Sequence, residues 1–343
     1  MRRRVAHSVG DKRLRPAVSA RHSSEVSVRT PTQDAHGLVT VLHNSAVVFD
    51  VVVVGGGPAG LSAALMLGRC RRRVLVCDIG TPRNRRSRAL HGYLTRDGIS
   101  PAELNELGRA ELHPYGIAMR RVGVTGVRCA PDHYVLSLAD GTETAGRFLL
   151  IATGVIDDLP GISGFEDCYG RSLFHCPYCD GWEWRERRLA AFGSGKAGFG
   201  LALALKTWSG NVLLTTNGDP LDRRAHTRLA ANDIQVRTDS IAALEHEDGK
   251  LRAIRFDNGT TVECDAMFFS TGQHPQSQLA ITLGCALTAR GTVRTGNQSD
   301  TNVPRVYVAG DASRDAQFVV VAAAEGVKAA VAINKALQSE ELR

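Results

Sequence analysis

The sequence predicts an α/β fold of two doubly wound, parallel-sheet domains, and three observations predict it. A β-branched strand runs into the glycine turn Gly55-Gly56-Gly57-Pro58-Ala59-Gly60 and an apolar helix. A second strand–turn–helix unit is built on Gly193-Ser194-Gly195-Lys196-Ala197-Gly198. Near the C-terminus a short strand delivers Gly310-Asp311 ahead of a long helix. Repeated strand–turn–helix units of this kind build parallel sheets covered by helices.

The first unit is "FDVVVVGGGPAGLSAALMLGRCRRRVLVCD". Residues 49 to 54 read as a strand buried on both faces, because they are apolar without alternation. Pro58 suits the first turn of a helix, where its fixed φ is helical and its missing N–H is not needed. A second strand ends at Asp78, 18 residues past Gly60. Glycines that let backbone approach a pyrophosphate, a helix N-terminus that favours its charge, and an acid for a ribose hydroxyl together predict dinucleotide binding. Gly55, Gly57, Pro58, Ala59, Gly60 and Asp78 are the residues so assigned.

The second unit, "RRLAAFGSGKAGFGLALALKTWSGNVLLTTNG", places Gly193, Gly195 and Gly198 in a complete fingerprint, with a helix expected to about Trp208. Its next strand ends in Thr215, Thr216 and Asn217, with neither an acid for a 2′-hydroxyl nor an arginine for a 2′-phosphate. A nicotinamide site or an empty remnant of one both fit this pattern.

Fourteen residues before Gly193 stands Cys179, the second thiol of "FHCPYCDGWEW". Cys176 and Cys179 are the chain's Cys-x-x-Cys, and the other six of its eight cysteines are scattered singly. With no second pair a closed four-ligand zinc site is not expected, so no metal is assigned. Without an export signal the expected compartment is the cytoplasm, where such a pair is catalytic. His175 and Asp180 flank it as candidate proton carriers, although a loop histidine and a turn-capping aspartate would look the same. Trp182 and Trp184 read as alternating, packed residues of an extended segment.

The net charge of +7 is concentrated at the N-terminus: residues 1 to 45 hold eight basic and three acidic side chains. That leaves a nearly neutral body and gives no reason to expect a nucleic-acid partner. No apolar run is long enough for a membrane span. The segment 1–45 is Arg- and Ser-rich without periodicity, and is expected to be a disordered, non-functional tail. Its Arg and Ser content with few acids resembles an organelle transit peptide, but Arg outnumbers Lys 36 to 6, as in chains from GC-rich genomes, which favours reading it as an over-long start.

Taken in order, GGGPAG, Ala152-Thr153-Gly154, CPYCDG beside GSGKAG, and YVAGD followed by Gln317 resemble the low-molecular-weight thioredoxin reductase class of flavoprotein disulfide oxidoreductases. The likeness covers residues 47 to about 338. It implies FAD on the first fingerprint, on Ala152, Thr153 and Gly154, and on Gly310, Asp311 and Gln317. It also implies two Rossmann-like FAD/NAD(P)-binding domains in three layers, the second inserted into the first. The FAD domain would comprise 46–158 and 273–343, and the NAD(P)-like domain 159–272 with the Cys-x-x-Cys at its start. The glycine- and proline-bearing stretches "GVIDDLPGISG" and "STGQHPQSQ" would serve as hinges. A homodimer is implied as well.

Residues 81–104, "TPRNRRSRALHGYLTRDGISPAEL", look like a sister branch, the dithiol oxidases that close disulfides in metabolites such as gliotoxin and holomycin. Arg83 and Asn84 of this stretch either bind the FAD pyrophosphate or shape a turn. The basic cluster of the NADPH-dependent reductases is absent after "LLTTNG", and Ala316 stands where that class has an arginine before Gln317. The resemblance therefore implies a FAD-dependent thiol–disulfide oxidoreductase whose Cys176/Cys179 pair oxidises a small-molecule dithiol with oxygen as acceptor, NAD(P)H being doubtful. The alternatives are an NAD(P)H-dependent reductase of a thioredoxin-like protein and a FAD-binding redox sensor without turnover. By analogy with the reductases, Cys179 would face the flavin and Cys176 would exchange with substrate.

Overall fold

The computed structural model describes residues 47–313 and 316–342, so the basic segment 1–45 and the expectation made for it lie outside the described residues. Strand β1 (Val48–Val54) is buried along its C-terminal half and leads into helix α1 (Pro58–Arg69), then β2 (Val74–Cys77). A single 3₁₀ turn at Arg83–Arg86 and a long loop precede α2 (Pro101–Leu112), which Ser100 caps by accepting from the Glu103 N–H at 3.1 Å. Next come β3 (Ala118–Arg120), β4 (Val124–Cys129), β5 (Tyr134–Leu138), β6 (Glu143–Ile151) and β7 (Val155–Asp157).

The middle of the chain carries α3 (Phe165–Cys168), β8 (Leu173–Phe174), α4 (Pro177–Asp180), β9 (Leu189–Phe192), α5 (Gly195–Leu205), β10 (Val212–Thr215), α6 (Arg223–Ala230) and β11 (Ile234–Arg237). It continues with β12 (Ile241–Glu247), β13 (Lys250–Phe256), β14 (Thr261–Glu263) and β15 (Ala266–Phe269). The chain closes with β16 (Gln273–Pro275), α7 (Leu279–Thr282), β17 (Val306–Val308) and α8 (Val319–Glu341).

Two main sheets result in an α/β fold, the first mixed and the second parallel. The first runs β3-β2-β1-β6-β5-β4, and β17 adds to β6. The long strand β6 serves two partners along one edge: residues 143–146 pair antiparallel with β5, and 149–151 pair parallel with β17. Register matters here, because Val54 stands opposite both Cys77 and Ile151, and Ile151 opposite Val308. Strands that end level place the residues after them, Gly55, Asp78, Ala152 and Ala309, at one sheet edge. In open α/β sheets that carboxyl edge is where ligands bind.

Helices α1 and α8 cover one face of this sheet, packing Leu67, Ala329 and Ile333 against Val51, Val53 and Phe148. They approach so closely that a Cβ on Gly326 would lie 2.0 Å from the Ala59 carbonyl oxygen. The second sheet, β11-β10-β9-β15-β8, is entirely parallel. It is sandwiched between α5 and α6 on one side and the antiparallel β12–β14 with α3 on the other. The two connecting stretches, expected as hinges, pair with each other: β7 and β16 form an antiparallel ribbon, Asp157 opposite Gln273. Among the described residues no helix is long and apolar enough to cross a membrane.

Candidate functional site

A cavity of about 620 Å³ opens at the carboxyl edge of the first sheet. That volume is in the range of small-molecule and cofactor sites. Its floor is the turn after β1. Gly55 adopts φ +108°, and a Cβ there would lie 2.3 Å from the Ala152 oxygen. Gly60 is packed beneath the turn, where a Cβ would meet the Gly55 oxygen at 1.9 Å. Gly57 differs: its backbone is extended and nothing lies within 4 Å of its Cβ position. It caps α1 without a side chain, so the helix's first N–H groups face the cavity. Free N–H groups at a positive dipole end suit a phosphate, and a side chain at 57 would fill the space one needs. Asp78 lines the cavity beside Gly56, 3.1 Å from Arg109, and its carboxylate retains acceptor capacity for a ribose hydroxyl. The residues present thus fit FAD.

Of the residues expected at a site, Gly55, Gly57, Pro58, Ala59, Asp78, Arg83, Asn84, Ala152, Thr153, Gly154, Gly310, Asp311, Gln317, His175, Cys179 and Asp180 all line this cavity. Gly60 and Cys176 are not on its wall, nor are Gly193, Gly195 and Gly198.

Arg83 is the most connected side chain of the site. Its Nε donates to Asp157 Oδ2 at 2.8 Å, and a second guanidinium nitrogen bonds Asp157 Oδ1. The remaining nitrogen reaches Asp311 at 3.2 Å and Gln317 at 2.5 Å, while the Tyr169 hydroxyl donates to Asp157 at 2.6 Å. Gln317 in turn donates to Gln273 at 3.1 Å. Burial opposes the charge on Asp157, but its bonds and proximity to Arg83 outweigh it and hold the carboxyl below its ordinary range. For Asp311 burial wins: its carboxyl is raised, with the Arg83 charge and hydrogen bond pulling the other way and the Asp157 charge adding to the rise. Arg83 therefore shapes the wall by binding protein groups. Gln317 is engaged in the same network, and α8 begins only at Val319, two residues later than expected.

The sequence carries no sign that Asp157, Tyr169 and Gln273 belong to this cluster. It also passed over Glu325, a buried acid that accepts from the Gly310 N–H at 2.9 Å and fixes the Gly-Asp turn. One signal was available: a glutamate within the apolar run "VVVAAAEGVKAAVAI" needs a buried partner.

Cys176 and Cys179 form a disulfide across the first turn of α4, Cα atoms 5.3 Å apart. Only Cys179 of the two is on the cavity wall, with His175 and Asp180. His175 lies against Phe269, and burial first, then the Arg83 charge, pull its imidazole down to about 4, with Asp157 opposing. Burial pushes Asp180 up to about 7; His91 pulls the other way and Glu183 adds to the rise. Burial makes other thiols unreactive: it raises Cys77, on the wall of the same cavity, to about 11 and Cys264 to about 12, and it raises Cys168 and Cys285 too. Trp182 and Trp184 lie in a turn and not in the extended segment expected. Trp184 packs on Phe174 while Trp182 is 65% exposed beneath Arg185.

The second turn, at the carboxyl end of β9, holds Gly193 and Gly198 in close contact, a Cβ on Gly198 lying 2.0 Å from the Gly193 oxygen. Residues 194–197 are exposed, and α5 stops at Leu205, short of Trp208. Past β10 the polar groups turn to their own chain: Thr216 donates to the Asp219 oxygen at 2.5 Å, and Asn217 accepts from the Ile241 N–H at 2.8 Å.

A disulfide that presents one sulfur to a dinucleotide-sized cavity, next to a second glycine turn, defines a disulfide oxidoreductase with two nucleotide-binding units. The chain belongs to the pyridine nucleotide-disulphide oxidoreductase family, whose profile matches residues 49–326. It is 31% identical to a probable thioredoxin reductase of Arthroderma benhamiae over 85% of this chain and 81% of that protein. The structure of HlmI superposes with a TM-score of 0.83 at 35% identity, covering 86% of this chain and 94% of that one. A putative thioredoxin reductase TrxB of Bacillus anthracis gives 0.82 at 33% identity, covering 85% and 99%.

Proposed function

We propose that this enzyme is a FAD-dependent thiol–disulfide oxidoreductase that oxidises a small-molecule dithiol to a disulfide, with oxygen as the final acceptor. In this reading residues 46–158 and 273–343 hold FAD, and 159–272 form the inserted domain. Gly55, Gly57, Pro58, Ala59 and Gly60 would hold the pyrophosphate, and Asp78 a ribose. Ala152, Thr153, Gly154, Gly310, Asp311 and Gln317 would line the rest. Bound FAD supplies a two-electron acceptor beside the cysteine pair.

The chain's own residues do the thiol chemistry. A substrate thiolate attacks Cys176 Sγ, the Cys176–Cys179 bond breaks, and Cys179 leaves as a thiolate on the cavity side. The second substrate thiolate then displaces Cys176 and closes the product disulfide. Asp180, at about 7, is poised to exchange protons near neutrality. His175, at about 4, stays neutral there and serves as an uncharged hydrogen-bonding wall.

The observation that carries the oxidase over the reductase is the end of β10, where Thr216 Oγ1 donates to the Asp219 oxygen and Asn217 Oδ1 accepts from the Ile241 N–H. Neither residue offers the charged side chain that usually selects a nicotinamide ribose or 2′-phosphate at this position. The name thioredoxin reductase carried by relatives favours the second reading, reduction of a thioredoxin-like protein by NAD(P)H. Anaerobic mixing separates the two. Bleaching of the flavin band by a small dithiol, reversed by air and not reproduced by NADPH or NADH, is the expected result. Rapid bleaching by NADPH would replace this reading with the reductase.

A further inference from the structure

The loop between the 3₁₀ turn and α2 takes no part in the chemistry above, yet it reaches the redox end of the cavity. Leu90 is buried and tied into the loop: its N–H donates to the Ile99 oxygen at 2.8 Å, and its oxygen accepts from Gly98 at 2.9 Å. This places the next residue, His91, on the same wall as Cys179 and Asp180. The imidazole stands between two carboxylates. Nδ1 is 3.5 Å from Asp97 of its own loop, and Nε2 is 3.6 Å from Glu183, three residues beyond Asp180. Asp97 is held in place by accepting from the Gly92 N–H at 2.8 Å. Two segments far apart in sequence thus converge on Asp180, one bringing a histidine and the other an acid.

We propose that His91 and Glu183 are positioning residues for Asp180, setting the pH at which it passes a proton to and from the cysteine pair. The inference rests on the reading of Cys176 and Cys179 as an exchanging pair. When the disulfide opens, the proton on the Asp180 carboxyl moves to Cys179 Sγ; a thiolate becomes a thiol, a carboxyl becomes a carboxylate, and no electron moves in that transfer. His91 stabilises the carboxylate that remains, whereas Glu183 destabilises it. His91 and Glu183 are the charged groups that act on Asp180 after burial, and they act with opposite sign. His175 belongs to a different field, that of Arg83 and Asp157.

The opposite signs supply a test that a merely structural clasp would not pass. His91→Gln and Glu183→Gln are compared with the wild type as flavin-loaded enzyme. Two pH series are measured: turnover of dithiothreitol, and the rate at which iodoacetamide alkylates the dithionite-reduced cysteine pair. The midpoint should move up by about half a pH unit in His91→Gln and down by a similar amount in Glu183→Gln. Glu183 is 37% exposed, so its variant folds even where the His91 change disturbs the loop. Superimposable profiles, or shifts in the same direction, overturn the proposal. A wild-type protein whose cysteine pair does not exchange with dithiothreitol overturns the functional reading beneath it, a different result from intact exchange with unmoved midpoints.

Discussion

Asp180→Asn removes a charge that the fold holds at a cost. An aspartate moved from 3.8 to about 7 by burial is harder to ionise in the native state than in the unfolded chain. At about 1.4 kcal/mol per pH unit, that difference corresponds to about 4 kcal/mol. The sign follows from proton counting. Between pH 4 and 7 the native protein binds more protons at this site than the unfolded one, so stability falls as pH rises through that window. Below the unfolded value both states are protonated and the penalty vanishes. Asparagine keeps the shape without the charge. The variant should match the wild type near pH 3.5 and exceed it by up to about 4 kcal/mol above pH 7.5. The assay is a series of thermal melts of the oxidised, flavin-loaded protein from pH 3.5 to 8.5, read as variant minus wild type. A difference that does not change with pH, or a variant less stable at pH 8, would refute the account of Asp180 as a carboxyl strained by burial. Stability gained at the expense of proton transfer is the usual trade at an active site.

The glycine turn yields a contrast between neighbours. Gly57→Ala meets no atom within 4 Å, so it should melt like the wild type yet retain little flavin after gel filtration. Gly60→Ala drives a Cβ to 1.9 Å from the Gly55 oxygen and should destabilise by about 1–3 kcal/mol in urea titrations, flavin or none. Arg83→Met leaves Asp157, whose side chain is 6% exposed, without its ion pair, which should lower stability by about 3–5 kcal/mol. Adding Asp157→Leu removes the orphaned charge and should restore most of that loss; a double variant no better than the single would show that the pair is not coupled. Aromatic disulfide reagents at pH 7 should titrate only Cys70 and Cys129 in the oxidised native protein, and Cys176 and Cys179 in addition after reduction. Early reaction of Cys77 or Cys264 would contradict the burial that raises them.

Much of this arrangement is legible in local sequence because its causes are local. The β-branched run before Gly55, Pro58 at the helix start and the acid 18 residues on each act within one strand–turn–helix unit, and each leaves its pattern in the chain. The Cys-x-x-Cys spacing is equally local, since one turn of α4 brings the sulfurs together. Asp157, Tyr169, Gln273 and His91 left no such pattern. Arg83 and Asp157 are 74 positions apart, Arg83 and Asp311 are 228 apart, and no periodicity links a loop arginine to an acid in a connecting ribbon. Ends of elements were blurred for the same reason: α8 starts late because Gln317 is held by Arg83 and Gln273.

By itself, then, the sequence determined the α/β class, the two glycine turns and the identity of the disulfide-forming pair, all of which depend on backbone geometry and short spacings. Tertiary structure alone decided which carboxyl titrates near neutrality and which is locked in an ion pair. Those are properties of burial and of charges brought together across the fold, and desolvation depends on what surrounds a group in space, not on what stands beside it in the chain.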